Sequence, residues 1–334
     1  MSQGFITISI IIPTHQYTND LKTCLHAIQE TDGINKHEII IVLDGLKKEN
    51  AFFDQFNFQN LRIFEVEINQ GPANARNLGA KKAKGDILFF VDSDVVVHKD
   101  TIQKVEEHFL NKNATDALIG SYDDDPKHQS IVSKYRNLLH HYVHQRASEK
   151  ATTFWGACGA VKKDIFLSLN GFSTQYKKAS IEDIEFGYRL IKNGYSIKLD
   201  RTVFIKHLKK WTLKNVIHTD VLLRAKPWTI LIHQYKDWLK KELNNSLNEK
   251  VTALSVLVLM ITLALSIFHP PFFSLALLML VLICCLKFNT YRFFLKKFSF
   301  LKIPIVIIFH WIYLLCALIG YFLGTLTYFT NRFK

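Results

Sequence analysis

The chain has 334 residues, 49% of them hydrophobic and 26 of them Phe, with a formal net charge of +13. Such a composition excludes a disordered segment, and the length is enough for more than one domain. The five cysteines are scattered without metal-ligand spacing, so there is no disulfide framework to read and a reducing cytoplasm is the default compartment.

Met1 leads directly into a strand-like run with no signal-peptide pattern. Residues 6–12 are a β-branched run closed by Pro13 and read as a buried strand. Residues 20–30 have helical spacing, with Leu21, Leu25 and Ile28 on one side. Residues 38–43 read as a second buried strand, stopped at Asp44-Gly45, and 61–66 as a third. Gly71-Pro72 opens a helix running to about Lys84, because proline suits the first helical position. Residues 87–91 are a fourth strand, ended by Asp92-Ser93-Asp94. Strands apolar on both faces, alternating with helices, indicate a largely parallel α/β sheet covered by helices. Ligands of such sheets bind at the carboxyl ends of the strands. Pro13-Thr14-His15, Asp44-Gly45 and Asp92-Ser93-Asp94 are therefore expected to converge on one crevice.

Beyond this, 117–122 reads as a strand, 130–147 as a helix and 156–161 as a short strand of small residues. Residues 181–193 form a helix ended by Gly194; 196–199 and 203–205 are strand-like, and His207 follows. Residues 211–243, rich in Trp, Leu and Lys, read as amphipathic helices at a bilayer interface, with Trp211, Trp228 and Trp238 near the headgroups. An ordinary helical subdomain is the competing reading. Residues 251–268, 272–286 and 303–330 carry no Lys, Arg, Asp or Glu. A spanning helix needs about 20 apolar residues, so three membrane segments are expected, the middle one short. Lys287, Arg292, Lys296, Lys297 and Lys302 lie between the second and third, which places that loop and the N-terminal domain in the cytoplasm of a multi-pass membrane protein. Basic residues also crowd just before the tail, at Lys209, Lys210, Lys214, Arg224 and Lys226, which suits anionic lipid and gives no reason to expect nucleic acid. The expected organisation is a catalytic domain over 1–208, interfacial helices over 209–250 and a transmembrane region over 251–330.

Asp92-Ser93-Asp94 carries the chemistry. Two carboxylates two residues apart, just past a buried strand, suit Mg²⁺ or Mn²⁺. A cation there neutralises the charge that builds on a leaving diphosphate. A capped turn into a helix near Lys99 is the plain alternative. Glu182-Asp183 at a helix start is held ionised by the helix dipole, and such a carboxylate can accept a proton, although charge preference alone also puts acids there.

The blocks Ile8-Ser9-Ile10-Ile11-Ile12-Pro13-Thr14, Asp44-Gly45, Gly71-Pro72-Ala73-Asn74-Ala75-Arg76-Asn77-Leu78-Gly79 and Gly85-Asp86-Ile87-Leu88-Phe89-Phe90-Val91-Asp92-Ser93-Asp94, in that order, resemble the family 2 glycosyltransferases. Gly156-Ala157-Cys158-Gly159-Ala160, Asn170-Gly171-Phe172 and the helix from Ile181 to Leu190 extend the resemblance over roughly residues 5–210. Singly each block is weak; together they are specific. The resemblance implies a GT-A fold with a Rossmann-like mixed sheet. It also implies an inverting single displacement on a nucleotide sugar, a UDP-sugar before a GDP-sugar. On the matching blocks, Asp44 would contact the base or ribose near Pro13 and Thr14, and Arg76 would approach the base or diphosphate. Asp92 would lie at the ribose and metal, Asp94 would ligate Mn²⁺ or Mg²⁺ with His207 as a further ligand, and Asp183 would be the general base.

There are departures. Leu43 stands where the family often has a second acid, and the Gln-x-x-Arg-Trp motif of processive synthases is absent, Arg224-Ala225-Lys226-Pro227-Trp228 being only loosely similar. One or few sugars, not a long polymer, are expected to be transferred. His15, His140, His141 and His144 read as structural, and Asp123-Asp124-Asp125 as a solvated loop. The apolar tail favours a lipid-linked or membrane-associated acceptor. The alternatives are a soluble or protein acceptor, with the tail a mere anchor, and a catalytically inactive nucleotide-sugar-binding or scaffold membrane protein.

Overall fold

A computed structural model describes residues 6–235 and 247–332. The chain divides into two compact units: Met1–Gln129 with Asn137–Lys210, and Ser130–Arg136 with Trp211–Lys334.

The first unit begins with β1 (Ile8–Thr14), α1 (Asn19–Gln29), β2 (Glu38–Asp44), α2 (Asn50–Phe53), β3 (Leu61–Val66), α3 (Pro72–Lys82), β4 (Ile87–Val91), β5 (Val95–Val97), α4 (Thr101–Leu110) and β6 (Ala117–Tyr122). It continues through α5 (Ile131–Arg146), β7 (Lys150–Ala151), β8 (Cys158–Lys162), α6 (Lys163–Ser168), α7 (Glu182–Lys192) and β9 (Ile197–His207). The first residues of α5, up to Arg136, belong to the second unit.

All of these strands join one mixed sheet in the order β3-β2-β1-β4-β8-β6-β9-β5, with β7 paired to β9. The pairs β3-β2, β2-β1 and β1-β4 are parallel, so β1, β2 and β4 present their carboxyl ends along one edge. β8 runs antiparallel to β4, pairing Val91 with Cys158 and Phe90 with Gly159. That register carries the residues just before β8 to the carboxyl end of β4. β5 runs antiparallel to β9 with Val95 opposite His207.

Two apolar layers cover the sheet. One holds Leu21, Cys24, Leu25 and Ile28 of α1 against Ile10, Ile12 and Phe89. The other holds Ala73, Ala75 and Ala80 of α3, with Phe154, Phe166, Phe172 and Phe186, against Ile11, Val42 and Phe90. The aromatic rings of the second layer meet largely edge to face at 5–6 Å, the arrangement such rings prefer. α1 is capped by the Thr18 side chain, which accepts from Leu21 N, and α3 starts with Pro72 at its first turn. Gly71 precedes it at φ 91°, and a Cβ there would lie 2.4 Å from the Lys177 carbonyl oxygen, so only glycine suits the position.

Some elements differ from the sequence-based expectation. Residues expected as two short strands form the single strand β9, whose pairing with β6 stops at Leu199 and resumes at Phe204, the polar Asp200-Arg201-Thr202 lying in the irregularity between. The acidic turn after β4 leads into β5 and only then into α4.

The second unit holds α8 (Leu213–His218), a π-helical turn (Thr219–Ala225), α9 (Lys226–Gln234), α10 (Leu247–Leu265), α11 (Pro271–Leu286), α12 (Phe288–Lys297) and α13 (Ile303–Arg332). Trp211, expected at headgroups, is 5% exposed. Its backbone N–H donates to Ser133 Oγ at 2.8 Å, and the Arg136 guanidinium lies 5.8 Å from its ring. Arg136 is itself buried in a two-point pair with Asp220. Trp228 is partly buried, and Trp238 lies outside the described residues. The basic segment expected as a loop contains α12, which buries Tyr291 and Phe294 on one side. Two helices, Leu247–Leu265 and Phe300–Asn331, are long and apolar enough to cross a membrane; Pro271–Leu286 and Phe288–Lys297 meet the same test together but bend by 73° where they join.

Candidate active site

The parallel half of the sheet delivers Pro13 and Thr14, Asp44 and Asp92 to one edge. Pro13 and Thr14 are buried at the end of β1, where Thr14 Oγ1 donates to the Gln16 carbonyl at 2.9 Å. Asp44 is 4% exposed. Its two oxygens accept from Gln70 N and Gly71 N at 2.8 Å each. The carboxylate thus holds the turn that enters α3.

Arg76, on α3, is 5% exposed. Its Nη2 donates to Asp92 Oδ1 and its Nη1 to Glu182 Oε1 at 3.0 Å, and Phe172 lies 5.7 Å from the guanidinium. Burial alone would release its proton, but the two carboxylates outweigh burial and hold it more firmly charged than usual. Arg76 therefore ties α3 to the end of β4 and to the start of α7. Phe172 is placed by Asn77, whose amide accepts from Phe172 N and donates to Phe172 O at 2.8 Å each.

Asp183 sits in the first turn of α7, partly exposed. Its Oδ2 accepts from Gly156 N at 2.9 Å and its Oδ1 from Ile184 N at 2.8 Å. The β4–β8 register brings Gly156 there. Desolvation by burial, then the neighbouring Glu182 charge, push its carboxyl up to about 6; the Gly156 N–H and Arg76 oppose the rise. A carboxylate with that proton affinity is a capable base near neutral pH.

Asp94 and His207 are brought together by the pairing of β5 with β9, and His207 Nε2 lies 3.7 Å from Asp94 Oδ2. Burial raises the Asp94 carboxyl, but neighbouring His207 and then the Lys209 charge bring it below its ordinary value. Behind the imidazole, His207 Nδ1 is 2.9 Å from Asn137 Oδ1. The Asn137 amide there orients the imidazole. Among the described residues no three His, Cys, Asp or Glu side chains converge on one metal-sized site. The pair nevertheless fits a divalent cation that completes its shell with phosphate oxygens and water, the usual mode for Mg²⁺-like ions.

Several contributors were not legible in the residue pattern. Glu182 read as one of two interchangeable helix-start acids, yet it pairs with Arg76 while Asp183 meets Gly156. Asn137 carries no signal of its role behind His207. Asp123, read as solvated, lies 3.0 Å from His98 Nε2. His144 and Tyr122 flank Trp155.

The family model for glycosyl transferase family 2 matches residues 9–169, and one described as the N-terminal domain of galactosyltransferase matches 137–210. Residues 9–169 thus carry the family 2 glycosyltransferase pattern. An uncharacterized glycosyltransferase of Haemophilus influenzae is 27% identical over 218 residues, 61% of this chain and 69% of that one. The glycosyltransferase GlyA of Streptococcus pneumoniae is 23% identical over 223 residues, 63% of this chain and 32% of that one. Among solved structures, a mannosyltransferase from Pyrobaculum calidifontis in complex with GDP-Man and Mn²⁺ has a TM-score of 0.52 at 17% identity, covering 84% of this chain and 86% of that one. The likeness is one of fold, and the mixed sheet is consistent with GT-A. Together these findings support a glycosyltransferase.

Proposed function

We propose that the protein is an inverting glycosyltransferase that moves one sugar from a nucleotide-diphosphate sugar, a UDP-sugar before a GDP-sugar, to a lipid-linked or membrane-associated acceptor. The observation that carries this reading is Asp183: a partly exposed carboxyl pushed up to about 6, anchored on Gly156 N, in the same unit as the Asp94–His207 pair. Asp183 takes the proton of the acceptor hydroxyl as that oxygen attacks the anomeric carbon. The bond from the anomeric carbon to the diphosphate oxygen breaks, its electron pair leaves with the nucleotide diphosphate, and the configuration inverts. Asp94 and His207, with Asp92 beside them, would hold Mn²⁺ or Mg²⁺, which when bound supplies positive charge to the leaving diphosphate. Pro13, Thr14 and Asp44 shape the nucleotide side, Asp44 through the turn it holds.

The Mn²⁺ in the mannosyltransferase complex supports the divalent cation. The apolar helices Leu247–Leu265 and Phe300–Asn331 support a multi-pass membrane protein, and the basic residues of α12 support a cytoplasmic catalytic domain.

The test is nucleotide release and sugar transfer by the full chain in detergent, with UDP- and GDP-sugars, Mn²⁺ or Mg²⁺ and a membrane-lipid extract. Asp183→Asn is expected to lower kcat by about 10²–10⁴, the usual contribution of a positioned base, with donor KM little changed. Asp94→Ala is expected to abolish metal-dependent turnover. No turnover with any donor by a folded protein would favour an inactive nucleotide-sugar-binding or scaffold protein.

A further inference from the structure

We propose that the group accepting the sugar is itself a pyranose, and that Trp155 is the platform on which its ring stacks. This rests on Asp183 being the base, and it goes further by naming the acceptor's chemical class.

The backbone nitrogen that donates to Asp183 Oδ2 at 2.9 Å is that of Gly156, one peptide bond from Trp155. The Trp155 backbone therefore lies beside the base. Phe154 and Gly156 on either side are buried, whereas Trp155 keeps part of its surface exposed. Its orientation is set by two other rings. Tyr122 meets it at 4.8 Å between centroids and 89° between planes, and His144 at 5.0 Å and 81°. Tyr122 in turn lies nearly flat on His207, at 4.7 Å and 17°. A row of rings thus runs from the Asp94–His207 pair through Tyr122 to Trp155, whose neighbour in the chain, Gly156, meets Asp183.

Such a row is rigid, because each ring is held at both ends and has few rotamers to lose. A partly exposed indole one residue from the contact with a base offers what a pyranose needs. The apolar C–H face of the sugar covers the ring, and the hydroxyls at its rim point to the polar groups alongside. A polyol phosphate or a peptide hydroxyl has no such face and would leave the indole wet. Trp155 also packs against both apolar layers of the sheet, so a packing role must be separated from a binding one.

The experiment titrates the full chain in detergent, with UDP and Mn²⁺ present, against the methyl glycosides of glucose, galactose, mannose and N-acetylglucosamine. Ribitol 5-phosphate and a serine-containing peptide serve as the non-sugar probes, and binding is read by saturation-transfer NMR. Trp155→Phe keeps an aromatic face and Trp155→Leu keeps only apolar bulk. At least one glycoside is expected to bind the native protein in preference to both non-sugar probes. Trp155→Leu is expected to weaken it about tenfold and Trp155→Phe only about two- to threefold, while donor KM for hydrolysis stays put. The proposal is overturned if no glycoside binds the native protein or a non-sugar probe binds better. It is equally overturned if Trp155→Leu binds the glycoside as tightly, or weakens donor and glycoside alike. Failure of the enzymatic reading shows separately, as absence of donor turnover in the native protein, and leaves the glycoside titration to stand on its own.

Discussion

The two halves of the sheet use their carboxylates differently. In the parallel half, Asp44 and Asp92 have strong partners inside the fold: Asp44 gives both oxygens to backbone N–H groups, and Asp92 gives one to Arg76. In the mixed half, Asp183 is raised by burial and by Glu182, and Asp94 shares its surroundings with an imidazole. The first set spends its charge on holding loops in place. In the second the surroundings shift proton affinity, Asp183 upward and Asp94 downward, as they do around groups that must gain or lose a proton or bind a cation. Scaffold and chemistry are thereby divided along one strand-end edge.

The sharpest way to break that division is Arg76→Met. Removing the guanidinium leaves Glu182 buried and without its cation, and Asp92 without its partner. Losing one member of a buried pair costs about 3–5 kcal/mol, so denaturant unfolding is expected to show a loss of that size. A variant of native stability with donor KM raised instead would make Arg76 a donor-binding group and not a tie between elements.

Asp44→Ala comes next. Two backbone N–H groups lose a charged acceptor in a buried site, which costs about 2 kcal/mol, and the turn at Gln70-Gly71 loosens with it. Donor KM is expected to rise together with the loss of stability. If donor KM rose with the unfolding midpoint unchanged, Asp44 would touch the nucleotide directly and the holding role would be wrong.

The parallel half was also the more legible one. Its three inner strands are nearly continuous apolar runs ended by Pro13, Asp44 and Asp92, so period, stop signals and the strand-end rule all agree. The mixed half depends on pairings distant in sequence. β9 looked like two strands because Asp200-Arg201-Thr202 breaks the apolar pattern; the ladder with β6 is interrupted there as well, between Leu199 and Phe204, but the strand resumes on the same partner after the register shift. His207 could be suspected from its place after a strand, but its distance to Asp94 follows from the antiparallel register of a three-residue strand, β5, that no pattern announced. Glu182 and Asp183 are equivalent by composition; only the fold turns one to Arg76 and the other to Gly156. Trp211 looked interfacial because an isolated Trp beside lysines has that signature, whereas the buried Arg136–Asp220 pair that packs near it cannot be read from spacing.

The smallest effect concerns pH, and it probes the mixed half alone. Asp183 must be ionised to act as a base, and its carboxyl is pushed up to about 6. The kcat/KM of the native protein is therefore expected to rise about tenfold per pH unit below that value and to flatten above it. Glu182 is the charge that raises Asp183 after burial itself, so Glu182→Gln should move the limb to lower pH. Stability follows with the opposite sign. The folded-state value lies above the ordinary carboxylate value, so the folded chain binds this proton more tightly than the unfolded chain does. The stabilisation from that proton is complete below about pH 4 and is lost as pH rises through 6. Over that window the native melting temperature should decline relative to that of Asp183→Asn, which has no proton to lose. A flat activity profile between pH 5 and 7, with the Asp183→Asn melting curve parallel to the native one, would mean that Asp183 is one more tied carboxylate, and the contrast between the two halves would disappear.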